Sequence, residues 1–388
     1  LACLLAACSG EHDHAGVEPP ASQGARSFAL ASGVGTVVEL TWIEGPAEGP
    51  FELRSAGWNG VERTWGAAET LARGTNWFVN FADVPRSSRL ETGERLTVWL
   101  ERGAASLHAS TASFLLQSPV PPNERTHSGL VGQEFVALSP DKNGWMAVWL
   151  EGDAGAHDGS GVTRLMAATI SHGLVRGEAF ELDPRVCDCC ATALARTDDG
   201  ALVVAYRDRD GNEERDISIV RVEASGVSKP LEVADDGWRI AGCPVNGPAL
   251  AARGGELGLA WFTLGSDARA RVQVARSLDG ARSFDTPLTL STRETDGLVA
   301  CTFDESGTLW VSWLERTAAR DKAEWMLQGL RAGMPLGEPR ALAPSVPGRA
   351  AGFAQLAAVP GGLLFVWQES AGPGGPTTLR SRFLATER

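Results

Sequence analysis

The chain has 388 residues, 43% of them hydrophobic and 21% charged, and a formal net charge of −13. That acidity excludes nucleic acid as a partner, because phosphate binding needs basic patches. The length supplies ample core for a large domain, or for two or three smaller ones.

The first residues, "LACLLAACSG", are apolar and small up to Cys8. Leu5-Ala6-Ala7-Cys8 resembles the end of a bacterial lipoprotein signal peptide, with Cys8 as the acylated residue, so 1–7 are expected to be a signal-peptide remnant. Residues 8–25 are rich in small, polar and Pro residues and read as a flexible tether. His12 and His14 in "EHDH" lack a scaffold there to hold a metal. No later run of about 18 apolar residues occurs. The expected location is therefore outside the cytoplasm, lipid-anchored to a bacterial membrane, either on the outer membrane facing the periplasm or on the cell surface. Disulfides can form in that compartment.

From residue 26 to 388 one pattern repeats: an apolar run, an aromatic residue, then usually an acid two positions on. The aromatics are Trp42, Trp99, Trp149, Tyr206, Trp261, Trp313 and Trp367, spaced 57, 50, 57, 55, 52 and 54 residues apart. The acids are Glu44, Glu101, Glu151, Asp208, Glu315 and Glu369, with Thr263 as the exception. Each unit parses into four short strands bounded by Gly, Asp, Asn and Pro, most clearly in the fifth, over 247–291. Repeats of this length and content predict an all-β, single-domain β-propeller of four-stranded blades. Seven blades are favoured, and six follow if the first or last repeat is degenerate. The last unit shows three strands, so a strand near 27–32 is expected to help close the ring. The repeated aromatic reads as filler between sheets, and the acid as an acceptor for neighbouring backbone amides.

Labelling the strands A to D from the axis outward, the D-to-A and B-to-C loops emerge on one face. The unusual stretches fall on that face in chain order: 75–85, 125–135, "RVCDCC" at 185–190, "RDRDGNEERD" at 207–216, 236–248 and 292–301. "PDKNG" and "TDDG" on the other face read as plain turns. Function is expected on the first face.

Here the chain resembles a group of uncharacterised bacterial sialidase-like propeller lipoproteins. The residues that carry the likeness are "CDCC" at 187–190, Tyr206-Arg207-Asp208-Arg209 with Arg215-Asp216-Ile217, Trp238 through Ala249 with its "GCPVNGPA", and Ala260-Trp261-Phe262-Thr263. "NFADVP" at 80–85 departs from the group's pattern. Ser277 to Phe284, "SLDGARSF", resembles an Asp box, with Ala281 and Ser283 as departures; such boxes are folding turns away from the site. The resemblance implies a fold and no transferable activity.

Sialidase chemistry needs an arginine cluster, a Tyr nucleophile and acids. The one tyrosine, Tyr206, occupies the core position of strand B and is a weak nucleophile candidate. Asp83 and Asp208 are weak candidates for a two-carboxylate pair. Arg207, Arg209, Arg215 and Arg239 either bind an anionic ligand or pair with the acids of 208–216. Cys187, Cys189, Cys190 and Cys243 fall on adjacent loops. Two disulfides are the preferred reading, with a Cu or Zn thiolate site, helped by Asp188 or His127, and a reactive thiol near Arg185 and Arg239 as alternatives. Cys301, in a strand A, reads as a buried thiol, though it could join a metal site from below.

The expected function is a ligand-binding module, monomeric, taking a glycan or protein partner outside the cytoplasm through Trp77, Trp238 and Asn246 with the four arginines. No cofactor is favoured. A sialidase-like glycoside hydrolase, and a thiolate metal-binding or redox lipoprotein, are the alternatives.

Overall fold

In the computed structural model the described residues are 17–386 apart from 33–36, 104–109, 120–123, 132, 153–160 and 371–374. The expected signal remnant, Cys8 and the "EHDH" stretch lie outside them. Seven antiparallel sheets follow one another around a central axis, their strands running outward in chain order, A to D in the first six and A to C in the seventh. The innermost strands A are Arg26–Ser32, Arg86–Arg89, Gln133–Asp141, Ala193–Arg196, Ala249–Arg253, Thr295–Phe303 and Gln355–Val359. The second strands B are Val37–Glu44, Arg95–Glu101, Gly144–Gly152, Leu202–Arg207, Glu256–Thr263, Leu309–Arg316 and Gly362–Ser370. The fold is thus an all-β seven-bladed propeller, and the six-bladed alternative is ruled out. The described residues contain no α-helix, only a 3₁₀ turn at Gly348–Ala351.

The repeated aromatic has one job throughout. Each strand B aromatic packs backwards, into the seam with the preceding blade. Trp261 meets Val203 and Ile219 of blade 4. Trp313 meets Val272 and Val274 of blade 5. Trp42 closes the ring by packing on Leu364 and Val366 of blade 7. Tyr206 obeys the same rule against Met146 and Leu165, which confirms it as a core residue.

The acid two positions on has a more local role than expected. Glu44, Glu151 and Glu315 accept the indole N–H of their own Trp at 2.9, 3.1 and 3.0 Å. Glu44 and Glu315 also take the amides of Ser22 and Thr292, as anticipated. Where Thr263 replaces the acid, Asp236 reaches in from the preceding loop and accepts from Trp261 Nε1 at 2.7 Å. At this seam the buried indole N–H keeps a partner although the repeat has lost its acid, whereas the indoles of Trp99 and Trp367 do not engage theirs.

Blade 7 has three strands and ends at Thr377–Ala385. The strand at 26–32 is not its fourth member; it pairs with Val37–Glu44 as the inner strand of blade 1. It still helps to close the ring, its Phe28 clustering with Leu364 and Val366 of blade 7, and the residues just before it fasten the seam. Gly24 N donates to Thr377 O at 2.7 Å, Thr377 Oγ1 donates to Ala25 O, and Ser381 Oγ donates to Val17 O. Glu18 pairs with Arg380 at 3.2 Å. The expected tether is therefore docked on the last strand from residue 17 onward.

The Asp box behaves as a turn. Asp279 Oδ1 caps the amides of Arg282 and Ser283, and Gly280 takes φ +71°. The stretch 125–135, expected as a loop, is instead covered by strands Glu124–Val131 and Gln133–Asp141. The side chain of His127 lies outside what is described.

Candidate site: a cysteine cluster on the loop face

The inner strands enclose a channel of about 620 Å³, lined mainly by small residues such as Ala31, Ala137, Ala193 and Ala300. Cys301 lines it as placed, and burial pushes its thiol up to about 12. Around the mouth lie the D-to-A loops.

Blade 4 is entered through 184–192, between Phe180–Asp183 and Ala193–Arg196. The loop is clamped at both flanks: Val186 N donates to Thr163 O and Cys187 N to Arg207 O. It winds Cys187, Cys189 and Cys190 onto one point. Cys187 Sγ lies 3.2 Å from Cys190 Sγ and 3.8 Å from Cys189 Sγ. Cys187 and Cys190 are buried, Cys189 is half-buried and Cys243 is exposed.

Cys243 arrives on the entry loop of blade 5, and the "GCPVNGP" residues explain its placement. Gly247 lies so close to the blade 4 loop that a Cβ there would stand 2.0 Å from Ala191 O. Asn246 stitches the other side, accepting from Leu298 N at 2.8 Å and donating to Asp296 O at 3.1 Å. Arg349 Nη2 holds Cys243 O at 2.9 Å.

A guanidinium completes the cluster. Arg215 is 3% exposed; its Nη1 lies 3.3 Å from Cys187 Sγ and 3.5 Å from Asp188 Oδ1, and its Nη2 binds Glu213 at 2.8 Å. Burial opposes ionisation of Cys187, but hydrogen bonds from Cys189 and Cys190 and the Arg215 charge outweigh it and hold the thiol well below its ordinary pKa. Burial and the hydrogen bond with Cys187 push the Cys190 thiol up.

None of the described cysteines is in a disulfide, so the preferred disulfide reading is corrected: the four thiols converge without bonding. Two donor sets result, each with all its atoms within 4.8 Å of one another: Cys187, Cys189 and Cys190; and Asp188, Cys189 and Cys243. The buried cysteine cluster could hold a metal ion. Sulfurs sharing one ion at about 2.3 Å stand roughly 3.8 Å apart, close to the separations found. Cys301 belongs to neither set.

Most residues expected to touch ligand are structural. Arg207 is 1% exposed and donates to Asn246 O, Arg215 O and Phe262 O at 2.9, 2.6 and 2.7 Å, beneath the Trp238 ring at 4.7 Å. Trp238 is itself buried edge-on to Phe262. Trp77 is buried between Phe51 and Trp99. Arg209 is buried against Glu213, and Asn246 is spent on blade 6. Only Arg239 is exposed, paired with Glu214 at 3.1 Å. Charged and aromatic side chains on loops suggested a surface, whereas most of them are spent on partners inside the protein: backbone carbonyls for Arg207, carboxylates for Arg209 and Arg215, and other rings for Trp77 and Trp238.

The catalytic candidates do not form one pair: Tyr206 and Asp208 both lie near Asp183, and Asp83 is in another blade. Tyr206 OH donates to Asp183 Oδ2 at 2.7 Å, 1% exposed, and burial pushes its pKa up. Asp208 accepts from Arg209 N and Ser218 Oγ and is raised to about 6, chiefly by burial. Asp83, in another blade, accepts from Phe135 N at 2.7 Å and is raised to about 7, chiefly by burial, with Glu134 adding to the shift and Arg86 opposing it. Because the folded pKa lies above the unfolded value, the folded state holds the extra proton between about pH 4 and 7, and stability falls as pH rises through that window. Asp83→Asn should match the parent at pH 4 and exceed it at pH 7.5 by about 3 kcal/mol in urea denaturation. Parallel profiles would refute the assignment.

No protein-family model and no curated protein matches the sequence. Solved structures match along nearly the whole chain. A protein of unknown function from Dyadobacter fermentans aligns at 11% identity over 97% of this chain and 99% of its own, with TM-score 0.53. The GH93 α-L-arabinofuranosidase of Fusarium graminearum, solved with arabinobiose, aligns at 14% over 96% and 98%, TM-score 0.55. The phage phi92 endosialidase aligns at 13% over 96% and 68%, TM-score 0.53. At these identities the likeness is one of fold: the chain is a propeller similar in architecture to those of sialidases and GH93 enzymes.

Proposed function

We propose that this protein binds one thiophilic metal ion, Cu(I), in the cluster formed by Cys187, Cys189 and Cys190. The observation that carries the reading is three sulfurs within 4.8 Å of one another, mostly buried, beside a buried guanidinium. Thiolates select soft ions, which leaves Cu(I) and Zn. Structural zinc closes with four donors. The fourth thiol, Cys243, stands in the second set with Asp188, so the buried set as it stands suits an ion content with three sulfurs. Three thiolates around a monovalent ion leave net negative charge, and Arg215 offsets it without competing for the metal.

The test is anaerobic loading of the reduced full chain, followed by desalting, elemental mass spectrometry and competition with bicinchoninate. One equivalent of copper should remain, with three sulfurs in the X-ray absorption spectrum. Cys190→Ser should weaken binding by about a hundredfold or more. A parent protein that retains no copper, or whose four clustered thiols are fully oxidised as purified, overturns the reading.

A further inference from the structure

The two donor sets share one residue, Cys189, and differ in depth. Cys187 and Cys190 are buried, Cys189 is half-buried, and Cys243 is exposed. Cys243 is presented rather than loose: Arg349 grips its carbonyl from the 3₁₀ turn of blade 7, and Asn246 and Gly247 fasten the loop three and four residues on. A disordered thiol could not keep the outer set assembled; this one is held at three points.

We propose that Cys243, Cys189 and Asp188 form an entry site that takes Cu(I) from a surface carrier and passes it by ligand exchange to the buried three-cysteine set. This rests on the Cu(I) reading above. In the transfer Cys189 keeps its bond to the ion. Cys187 and Cys190 each form a Cu–S bond, Cys190 giving up its thiol proton, while the bonds to Cys243 and Asp188 break and Cys243 takes up a proton. Copper stays Cu(I), so no oxidant or reductant is required.

The geometry also explains why the buried set needs a portal. Cys187 and Cys190 are each 1% exposed, too enclosed for a carrier's own ligands to reach. An exchange through shared Cys189 never leaves the ion with solvent alone.

The probe is the Cu(I)–bicinchoninate complex, mixed anaerobically with reduced full chain and followed by loss of its absorbance. Cys243→Ser should slow loading by about tenfold or more, while equilibrium affinity changes by less than about threefold. Asp188→Asn should slow loading in the same direction. Cys187→Ser should lower affinity at equilibrium. Loading of Cys243→Ser at the parent rate overturns the entry site and leaves the copper site standing. An affinity loss in Cys243→Ser as large as in Cys187→Ser also overturns it, by making Cys243 a permanent ligand. A parent that binds no Cu(I) sinks the underlying reading itself.

Discussion

Replacing Arg207 with Ala is expected to destabilise the protein by about 4 kcal/mol, because hydrogen bonds from a charged donor contribute roughly 1.5–3 kcal/mol each and three are lost together. The three carbonyls belong to separate segments: Arg215 closes the B-to-C loop of blade 4, Asn246 the entry loop of blade 5, and Phe262 its strand B. Truncation strands all three in a dry interior and leaves a void beneath Trp238. Arg207→Lys should recover only part of the loss, since one ammonium cannot serve three carbonyls at the angles a planar guanidinium spans. Urea unfolding of both variants, monitored by Trp fluorescence, measures this. A change below about 1 kcal/mol in the Ala variant would show that water replaces the guanidinium. The two loops Arg207 ties also carry Arg215 and Cys243, so the thiol cluster should loosen in the same variant.

Glu315→Ala is expected to cost about 3 kcal/mol, approaching the range for breaking a buried ion pair. Glu315 is fully buried and accepts from the Trp313 indole, the Thr292 amide and Arg293 Nε. Its removal orphans an indole N–H and an amide at one seam. Arg293 is about one-third exposed and also pairs with Glu324, so its share is screened and smaller. Glu315→Gln should restore roughly half, keeping an acceptor without the charge. Glu101→Ala is the internal comparison: Glu101 accepts from Ser113 Oγ and does not engage Trp99, so its loss should cost under about 1 kcal/mol. Equal effects at the two positions would remove the special role assigned to the indole contact.

The blade count, the strand order and the loop face were legible because they rest on period. Seven aromatics spaced by 50–57 residues can only be one repeated supersecondary unit. The meeting of Cys187, Cys189, Cys190 and Cys243 was legible too, since adjacent D-to-A loops must lie side by side. What the residues hid was depth. Arg207 and Trp238 are a charged and an aromatic side chain on loops, a pattern shared by ligand sites and by buried staples. Backbone carbonyls decide between the two, and a carbonyl has no signature in the sequence. Asp236 shows the same limit: its service to Trp261 compensates for Thr263 from 25 residues away. Residues 17–25 looked like a tether because small and Pro-rich composition reports low intrinsic order, not the presence of an uncovered strand edge.

That docked segment makes one of the seven seams unlike the others. Six neighbouring pairs of blades stay joined by a short linker even if their interface opens, so reclosure is a local search. Between blades 7 and 1 the link is a handful of hydrogen bonds, the Glu18–Arg380 pair and the apolar packing of Trp42. If it parts, the two ends are separated by the whole length of the chain, and the entropy of bringing them back grows with the logarithm of that length. The ring therefore has a clasp, and the nine residues before its first strand are the part of the molecule that keeps an open necklace from replacing a closed one.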